Sequence, residues 1–269
     1  MLPPSELDRA GRSTRTLPPL LFLALLGKII GLLWWCFAPW SPVAAVFFFG
    51  VDPFVLYHLF VPSAQGLGRV FTRFATDRNE VWLTIDDGPD ESDTPRILDL
   101  LDRYKARATF FLIGERAARR PDLVAEILQR GHEVGHHTQT HPAATFWCAT
   151  PARLGAELDR GLATLKSAGA TPRWFRPPVG IKHLLLAAAL EARHLDCVGW
   201  TVRSGDCLAR QPDDVVASVL RRLRPGAIIL VHEGPGVPAA VRVKAIALLL
   251  EALAAQEVAC ILPERAQLR

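Results

Sequence analysis

Paired cysteines are missing from the sequence. It has five cysteines, an odd number, and none of them forms a Cys-x-x-Cys motif. A disulfide framework and a zinc ribbon are therefore disfavoured, and reduced thiols are expected. The sequence also lacks a strong charge of either sign, because 31 basic residues face 27 acidic ones and leave a net charge of +4. Such an even balance gives no indication of a nucleic-acid partner.

The polar composition of disordered chains is absent as well. Hydrophobic residues make up 50% of the 269 positions and charged residues 22%. The bulk of the chain is therefore expected to fold, as one large domain or two small ones. The mean hydropathy of +0.19 is high for a soluble domain and should have a local source.

That source is the first sixty residues. An apolar run over 20–38 is interrupted only by Lys28, and a second run over 43–61 contains Asp52 and Pro53. Each run is about as long as a bilayer-spanning helix, and the first is too long for the hydrophobic region of a signal peptide. We expect a two-helix membrane hairpin. A single anchor followed by an interfacial helix is the alternative.

Basic residues flank the two runs, and the break between the runs carries no charge. They are Arg9, Arg12 and Arg15 before the first run and Arg69, Arg73 and Arg78 after the second. The positive-inside rule then places both ends in the cytoplasm, at a bacterial-type inner membrane. A periplasm-facing domain on a single anchor is the alternative. In a hairpin, Lys28 and Asp52 lie at nearly equal depth and could neutralise each other.

The chain is expected to divide into four parts. These are a cytoplasmic N-terminal segment over 1–19, a membrane hairpin or anchor over 20–61, a linker over 62–80 and a folded domain over 81–269.

Within the folded domain, short β-rich runs alternate with helical patterns. The predicted strands cover 81–86, 108–113, 133–137, 174–176, 197–202, 227–232 and 258–262. The predicted helices begin at Asp93 or cover 121–129, 151–166, 183–192, 213–223 and 241–255. This alternation predicts a parallel sheet with helical crossovers, either an open sheet or a (β/α) barrel.

Two adjacent carboxylates, Asp86 and Asp87, end the first predicted strand. The carboxyl ends of strands are where (β/α) barrels carry their active sites. Neighbouring side chains on a strand point to opposite faces, so the two carboxylates could do different work. Taken alone, an Asp-Gly turn is an equally ordinary interpretation.

Two histidines strengthen the functional interpretation. His137 and His141 are four residues apart, just past the third predicted strand. In a helix or a tight turn, this spacing brings both imidazoles within reach of one ion. Two histidines and one aspartate with an open position are typical of a catalytic metal site. The neighbouring His132 and His136 lack such spacing, and we interpret them as structural or supporting residues.

Two further strand ends carry polar residues. Arg176 precedes two prolines that fix the chain, and its planar guanidinium suits the orientation of a carboxylate. His232 ends the run Leu-Val-His and could act as a general acid or base near neutral pH. Each of these signals is weak by itself.

Together, these motifs resemble those of a known family. Thr-Ile-Asp-Asp-Gly-Pro at 84–89, His-Thr-Gln-Thr-His at 137–141, Arg-Pro-Pro-Val-Gly at 176–180 and Leu-Val-His at 230–232 occur in this order. The order is similar to that of the polysaccharide deacetylases, which form carbohydrate esterase family 4 and share the NodB homology domain. The resemblance covers about 81–262. It implies an α/β fold, a distorted (β/α) barrel with about seven strands, here preceded by a membrane-associated helical segment.

The resemblance also implies residue roles. Asp86 matches the general base, His232 the general acid and Arg176 the residue that orients the base. The implied metal ligands are Asp87, His137 and His141, and the ion is most simply Zn²⁺ because imidazole and carboxylate ligands suit it. The implied residues at the oxyanion and the substrate are Val179, through its backbone N–H, Pro178 and Asp206. Arg203 is also expected at the substrate, because of its own chemistry and not because of the resemblance.

The sequence departs from the family pattern at three positions. Val179 stands where relatives usually have an aromatic residue. The fourth motif usually reads Asp-x-x-Asp-Trp, and here Arg203 replaces its first aspartate and Cys207 its tryptophan, while Asp206 is retained. If that first aspartate supports the catalytic histidine, His232 has lost its support. We expect Arg203 to face away from His232, toward an anionic group of the substrate such as a phosphate.

The implied activity is that of a hydrolase of carbon–nitrogen bonds. It would remove an N-acetyl or N-formyl group from an amino sugar carried by a polysaccharide or a membrane lipid. One alternative is an extracytoplasmic deacetylase of peptidoglycan or exopolysaccharide. Another is a catalytically silent sugar-binding module of the same fold. The expected partners are the amino-sugar substrate and the membrane, with no nucleic acid.

Overall fold

The computed structural model describes residues 18–269. The predicted cytoplasmic segment, with Arg9, Arg12 and Arg15, lies outside the described residues except for its end. The chain is first helical in α1, Pro19–Phe37, and then in α2, Pro42–Phe49, and α3, Asp52–Phe60. By length and composition alone, Pro19–Phe37 and Pro42–Phe60 are each apolar enough to cross a bilayer.

Helices α1 and α2 pack closely because α1 presents glycines to its partner. A Cβ atom on Gly27 would lie 2.7 Å from the carbonyl oxygen of Phe47, and one on Gly31 would lie 2.7 Å from that of Ala44. Small residues allow two helices to approach this closely. The two charges of the apolar runs meet here, with Lys28 Nζ 2.8 Å from an Asp52 carboxylate oxygen. The predicted neutralisation of these charges is confirmed.

The remaining elements alternate strands and helices. In chain order they are β1 Glu80–Gly88, α4 Asp93–Arg103, β2 Ala108–Leu112, α5 Gly114–Arg119, α6 Pro121–Gln129, β3 Glu133–His136, α7 Pro151–Ser167, β4 Trp174–Phe175, α8 Leu186–Glu191, β5 Asp196–Cys197, β6 Val202–Arg203, α9 Pro212–Leu220, β7 Ile228–His232, α10 Arg242–Ala255 and β8 Ala259–Cys260.

The strands form one curled parallel sheet. Seven of them follow the order β5-β4-β3-β2-β1-β7-β6, and β8 pairs with the start of β1. Strand β1 is central and buried on both faces. Leu83 and Ile85 pack in the core between the sheet and the outer helices, whereas Trp82 packs on the inner face with Trp174. The distorted, roughly seven-stranded (β/α) barrel expected from the resemblance is confirmed.

The barrel is not closed between β5 and β6, and we call this gap the seam. One strand prediction is wrong there. The run over 197–202 is two short strands, β5 and β6, at opposite ends of the sheet order, because the chain crosses the gap between them. Residues predicted as linker fill part of this gap. Phe71 bridges to Val198, and Arg73 bridges to Ala227. Residues 70–74 of the segment predicted as a linker therefore pack against the fold, where burial of Phe71 in the inner core holds them.

Helix α5, Gly114–Arg119, was not predicted either. With six residues it is too short to show a clear hydrophobic period. It begins at the carboxyl end of β2, and one of its arginines reaches the candidate site described next.

Candidate active site

The candidate site lies at the carboxyl ends of the central strands. Asp86 and His232 are paired neighbours on β1 and β7. His137 directly follows β3, and Arg176 directly follows β4. Parallel strands deliver their carboxyl ends to one edge, so side chains far apart in sequence meet there. The structure thus brings together all six residues singled out for metal binding and proton transfer.

Asp86 is held by a buried arginine. The Arg176 side chain is inaccessible to solvent and donates from Nη1 to Asp86 Oδ1 at 2.6 Å. Its other donors reach the Thr84 hydroxyl at 2.9 Å and the carbonyl oxygens of Val198 and Gly199 at 3.1 and 2.7 Å. A rigid guanidinium with these partners fixes the carboxylate in one orientation.

Asp87 does not follow the regular alternation expected of a strand. Its φ is 71°, and the register with β2 slips between Asp86 and Gly88. This β-bulge re-aims the side chain. As a result, Asp86 and Asp87 both approach His137 Nε2, at 3.8 and 3.5 Å. The expectation that the two carboxylates point to opposite faces is wrong. Arg116 of α5 donates to the Asp87 carbonyl oxygen and steadies the bulge.

Three side chains have the geometry of a metal site. Asp87 Oδ1 is buried and has no hydrogen-bond partner among the described residues. His137 Nε2 and His141 Nε2 lie 3.5 and 3.3 Å from it. One ligand atom from each residue lies within 4.8 Å of the other two. An unpartnered carboxylate oxygen between two imidazole nitrogens fits a divalent cation, which would supply the missing partner.

The charge states of these groups also suit metal binding. Burial raises the pKa of Asp87, but electrostatic attraction from the neighbouring His137 and His141 outweighs it, so its pKa lies far below the usual range. Burial, together with repulsion from His137, lowers the pKa of His141 to about 4. A carboxylate and a neutral imidazole are the forms that bind metal.

The loop from His137 to His141 is not helical. Thr138 and His141 have positive φ values of 65° and 54°. Buried Glu157 of α7 holds the loop by accepting from the backbone N–H groups of Gln139 and Thr140 at 3.0 and 2.9 Å. Sequence reasoning missed Glu157, because a glutamate within an amphipathic helix normally lies in solvent.

His232 is supported by Asp206 and not by the first position of the fourth motif. His232 Nδ1 lies 2.8 Å from Asp206 Oδ1, and the His232 backbone N–H donates to Asp206 Oδ2 at 2.6 Å. Burial lowers the pKa of His232, but hydrogen bonds with Asp206 and Cys207 outweigh it and raise the pKa well above its usual value. The inference that Arg203 deprives His232 of support is therefore wrong. Buried Asp206 faces the histidine rather than open space for substrate.

A second group of possible metal ligands includes the Asp206–His232 pair. Asp206, Cys207 and His232 also offer ligand atoms within 4.8 Å of one another. Cys207 Sγ lies 3.5 Å from His232 Nδ1. Here the carboxylate and the imidazole already bond to each other. Among the described residues, no buried nitrogen or oxygen atom of this group lacks a hydrogen-bond partner as Asp87 Oδ1 does.

The other residues assigned to the substrate lie around the site. Pro178 is buried, whereas Val179 is exposed and has a φ of 50°. This conformation is strained for a β-branched residue. The Val179 N–H has no hydrogen-bond partner among the described residues. Arg203 is exposed on β6 and pairs with Leu230, two residues before His232. In the part of the chain that the structure describes, no ion pair joins Arg203 to another group.

His132 and His136 have structural contacts, as predicted. His132 Nδ1 accepts from the backbone N–H of Ala108 at 3.3 Å. His136 Nε2 lies 3.0 Å from the carbonyl oxygen of Leu158.

Comparison with known proteins now identifies the family. The family model described as Polysaccharide deacetylase matches residues 74–196. A chitooligosaccharide deacetylase from Bradyrhizobium is 39% identical over 156 residues, which are 57% of this chain and 70% of that protein. The chain belongs to the polysaccharide deacetylase family. Because these relatives are deacetylases, which cleave a carbon–nitrogen bond, the predicted hydrolase class is confirmed.

Solved structures of the polysaccharide deacetylase family share the fold. A peptidoglycan N-acetylglucosamine deacetylase superimposes with a TM-score of 0.66 at 29% identity, covering 71% of this chain and 88% of that one. A family 4 pseudoenzyme from Bacillus anthracis superimposes with a TM-score of 0.63 at 26% identity, covering 71% and 66%. Because the family fold occurs with and without activity, the activity of this chain rests on its own site residues.

The contact between Asp206 and His232 predicts a pH effect. A raised pKa keeps His232 protonated at neutral pH, so a reaction that needs its proton fails as the pH rises through that pKa. In Asp206→Asn, the pKa of His232 should fall, and the alkaline limb of the kcat/KM profile should move to lower pH. Cys207→Ala removes a weaker partner and should move the limb less. An unchanged alkaline limb in Asp206→Asn would contradict the assignment.

Proposed function

We propose that the protein is a metal-dependent hydrolase that removes an N-acyl group from an amino sugar. The observation that carries this proposal is the unpartnered Asp87 oxygen between His137 and His141, beside a second carboxylate held by Arg176. The first three residues would hold a divalent ion, most simply zinc. When bound, such an ion supplies Lewis-acid polarisation of the acyl oxygen and a lower pKa for the attacking water.

The residues of the chain divide the remaining work. Asp86, oriented by Arg176, takes a proton from the attacking water as the water oxygen bonds to the acyl carbon. The Val179 N–H, left free by its strained turn, stabilises the developing negative charge on the acyl oxygen. His232 gives its proton to the sugar nitrogen as the carbon–nitrogen bond breaks. The products are a free amine and a carboxylic acid, so atoms and charge balance.

The proposed substrate is an N-acetylated glucosamine unit, by similarity to relatives named chitooligosaccharide and peptidoglycan N-acetylglucosamine deacetylases. A lipid-linked amino sugar bearing an acetyl or formyl group is the finer proposal. Its support is the membrane-type segment over 20–61, directly followed by a domain that starts near residue 70. Exposed Arg203 would suit a substrate phosphate.

A silent sugar-binding module remains the competing function, and the similarity to a pseudoenzyme is the observation in its favour. The site argues against it. A module without catalysis has no use for a buried carboxylate fixed by Arg176 or for the Asp206–His232 pair. Binding of N-acetylchitooligosaccharide by the metal-loaded chain without any release of acetate would support the silent module.

Replacement of the proposed base tests the activity. The full chain in detergent, loaded with zinc, should release acetate from an N-acetylchitooligosaccharide. Asp86→Asn should lower kcat by about 100-fold or more, the contribution typical of a general base, and should leave the bound metal unchanged by elemental analysis. The control is Asp122→Asn, since Asp122 is exposed on α6. Equal rates for wild type and Asp86→Asn would contradict the mechanism.

Orientation in the membrane is proposed from the distribution of arginines alone. With Arg69, Arg73 and Arg78 after the second span, the positive-inside rule favours a cytoplasmic catalytic domain. Alkaline phosphatase fused after Arg269 should then be inactive, and a fluorescent protein fused there should be bright. Phosphatase activity from this fusion would instead indicate a periplasmic domain.

A further inference from the structure

Helix α3 is docked on the loops of the candidate site rather than joined to them by a free tether. The backbone N–H of Lys182 donates to the carbonyl oxygen of Leu59 at 2.9 Å. The buried Lys182 ammonium donates to the carbonyl oxygens of Val61 and Pro62 at 2.6 and 3.3 Å. These two carbonyls directly follow α3, and a cation beside the C-terminus of a helix interacts favourably with the helix dipole. Lys182 therefore fixes the end of the second apolar span to the α/β fold.

This junction belongs to the loop that carries the proposed oxyanion donor. Lys182 lies six residues after Arg176, whose carbonyl oxygen is 2.7 Å from Nδ1 of the proposed ligand His137. Six residues span at most about 20 Å. A Cβ atom on Gly180 would lie 2.7 Å from the Pro62 ring, so the loop also packs against the chain leaving α3. The end of the span is thus joined, through a single loop, to the strand end that carries Arg176.

A second loop of the site contacts the same helix end. The Phe60 and Trp147 rings lie 5.5 Å apart between centroids. Trp147 follows the proposed ligand His141 by six residues, again at most about 20 Å along the chain. His183 Nε2 lies 2.9 Å from the carbonyl oxygen of Ala149 and connects this loop to the Lys182 loop.

Large exposed apolar side chains collect at this junction. We define the rim as Phe60, Trp147, Val179, Leu184 and Leu185, whose exposed fractions are 40%, 36%, 51%, 39% and 39%. Among the described residues after α3, the one other large exposed hydrophobic side chain is Leu208, on the turn beside His232. Exposed apolar residues confined to one side of a domain indicate an interaction surface.

We propose that the rim lies in the headgroup region of the bilayer that α1–α3 enter, so that the candidate site opens onto the membrane surface. The argument is continuity: Phe60 ends the second apolar span, so a side chain packed on its ring lies at interfacial depth. Tryptophan at that depth is favoured. On the basis of the proposed function, the substrate is then an amino sugar that a lipid anchor holds at this surface.

Spin-label depth measurement tests the rim without reference to activity. The three accessible cysteines, Cys36, Cys148 and Cys207, are first replaced by serine. A nitroxide is then attached at Leu184→Cys, and the chain is reconstituted in phosphatidylethanolamine–phosphatidylglycerol nanodiscs. Oxygen should relax this label more than a water-soluble nickel complex does. The control is Lys244→Cys, exposed on α10, where nickel should dominate. Equal nickel accessibility at both positions would overturn the proposal. It would also be overturned if, in detergent, a second copy of the chain shielded the label at Leu184→Cys from both oxygen and nickel.

The proposed lipid-anchored substrate is tested by measuring activity on an anchored and a soluble form of the same sugar. Leu184→Ser with Leu185→Ser should lower deacetylation of a lipid-anchored N-acetylglucosamine in nanodiscs by about tenfold, because surface binding raises effective concentration. The rate on a soluble N-acetylchitooligosaccharide should be unchanged. Equal losses on both substrates, or on neither, would overturn the substrate assignment. Inactivity of the wild type on both would instead contradict the proposed function and leave the depth result standing.

Discussion

The buried guanidinium of Arg176 is the group on which the arrangement of the site depends. It lies on the inner side of the sheet with no exposure to solvent and joins the end of β4 to Asp86 and Thr84 of β1 and to the chain after β5. A buried charge is costly unless it is paired and hydrogen-bonded. Asp86 supplies the pairing charge, which fixes its carboxylate for the proposed proton transfer and leaves Asp87 for the proposed ion.

The backbone around the site departs from regular conformations. Asp87, Thr138, His141 and Val179 all have positive φ values, between 50° and 71°. Non-glycine residues in this region are uncommon, and they persist where surrounding contacts hold them. Arg116, Glu157 and the Pro62 junction supply such contacts at three different loops. The frame around the site is therefore preorganised before substrate arrives.

Much of the fold and of the candidate site could be predicted from the sequence, because β1 and β7 are mainly apolar runs whose polar residues come at their ends. The order of the motifs then singles out six candidate site residues, which are Asp86, Asp87, His137, His141, Arg176 and His232. The bulge at Asp87 could not be predicted, since a register slip depends on the pairing of β1 with β2. Likewise, Glu157 and Asp206 become supporting residues only through burial against partners distant in the chain. Residues 70–74 look like a linker until the seam they fill is known.

The position of the metal tests the central claim, that Asp87 Oδ1 is left unpartnered to bind an ion. Crystals of the zinc-loaded protein should show one anomalous-scattering peak at the zinc edge. It should lie about 2 Å from Asp87 Oδ1 and from the Nε2 atoms of His137 and His141, the usual length of zinc bonds to oxygen and nitrogen. A peak between Asp206, Cys207 and His232, with none beside Asp87, would contradict the account.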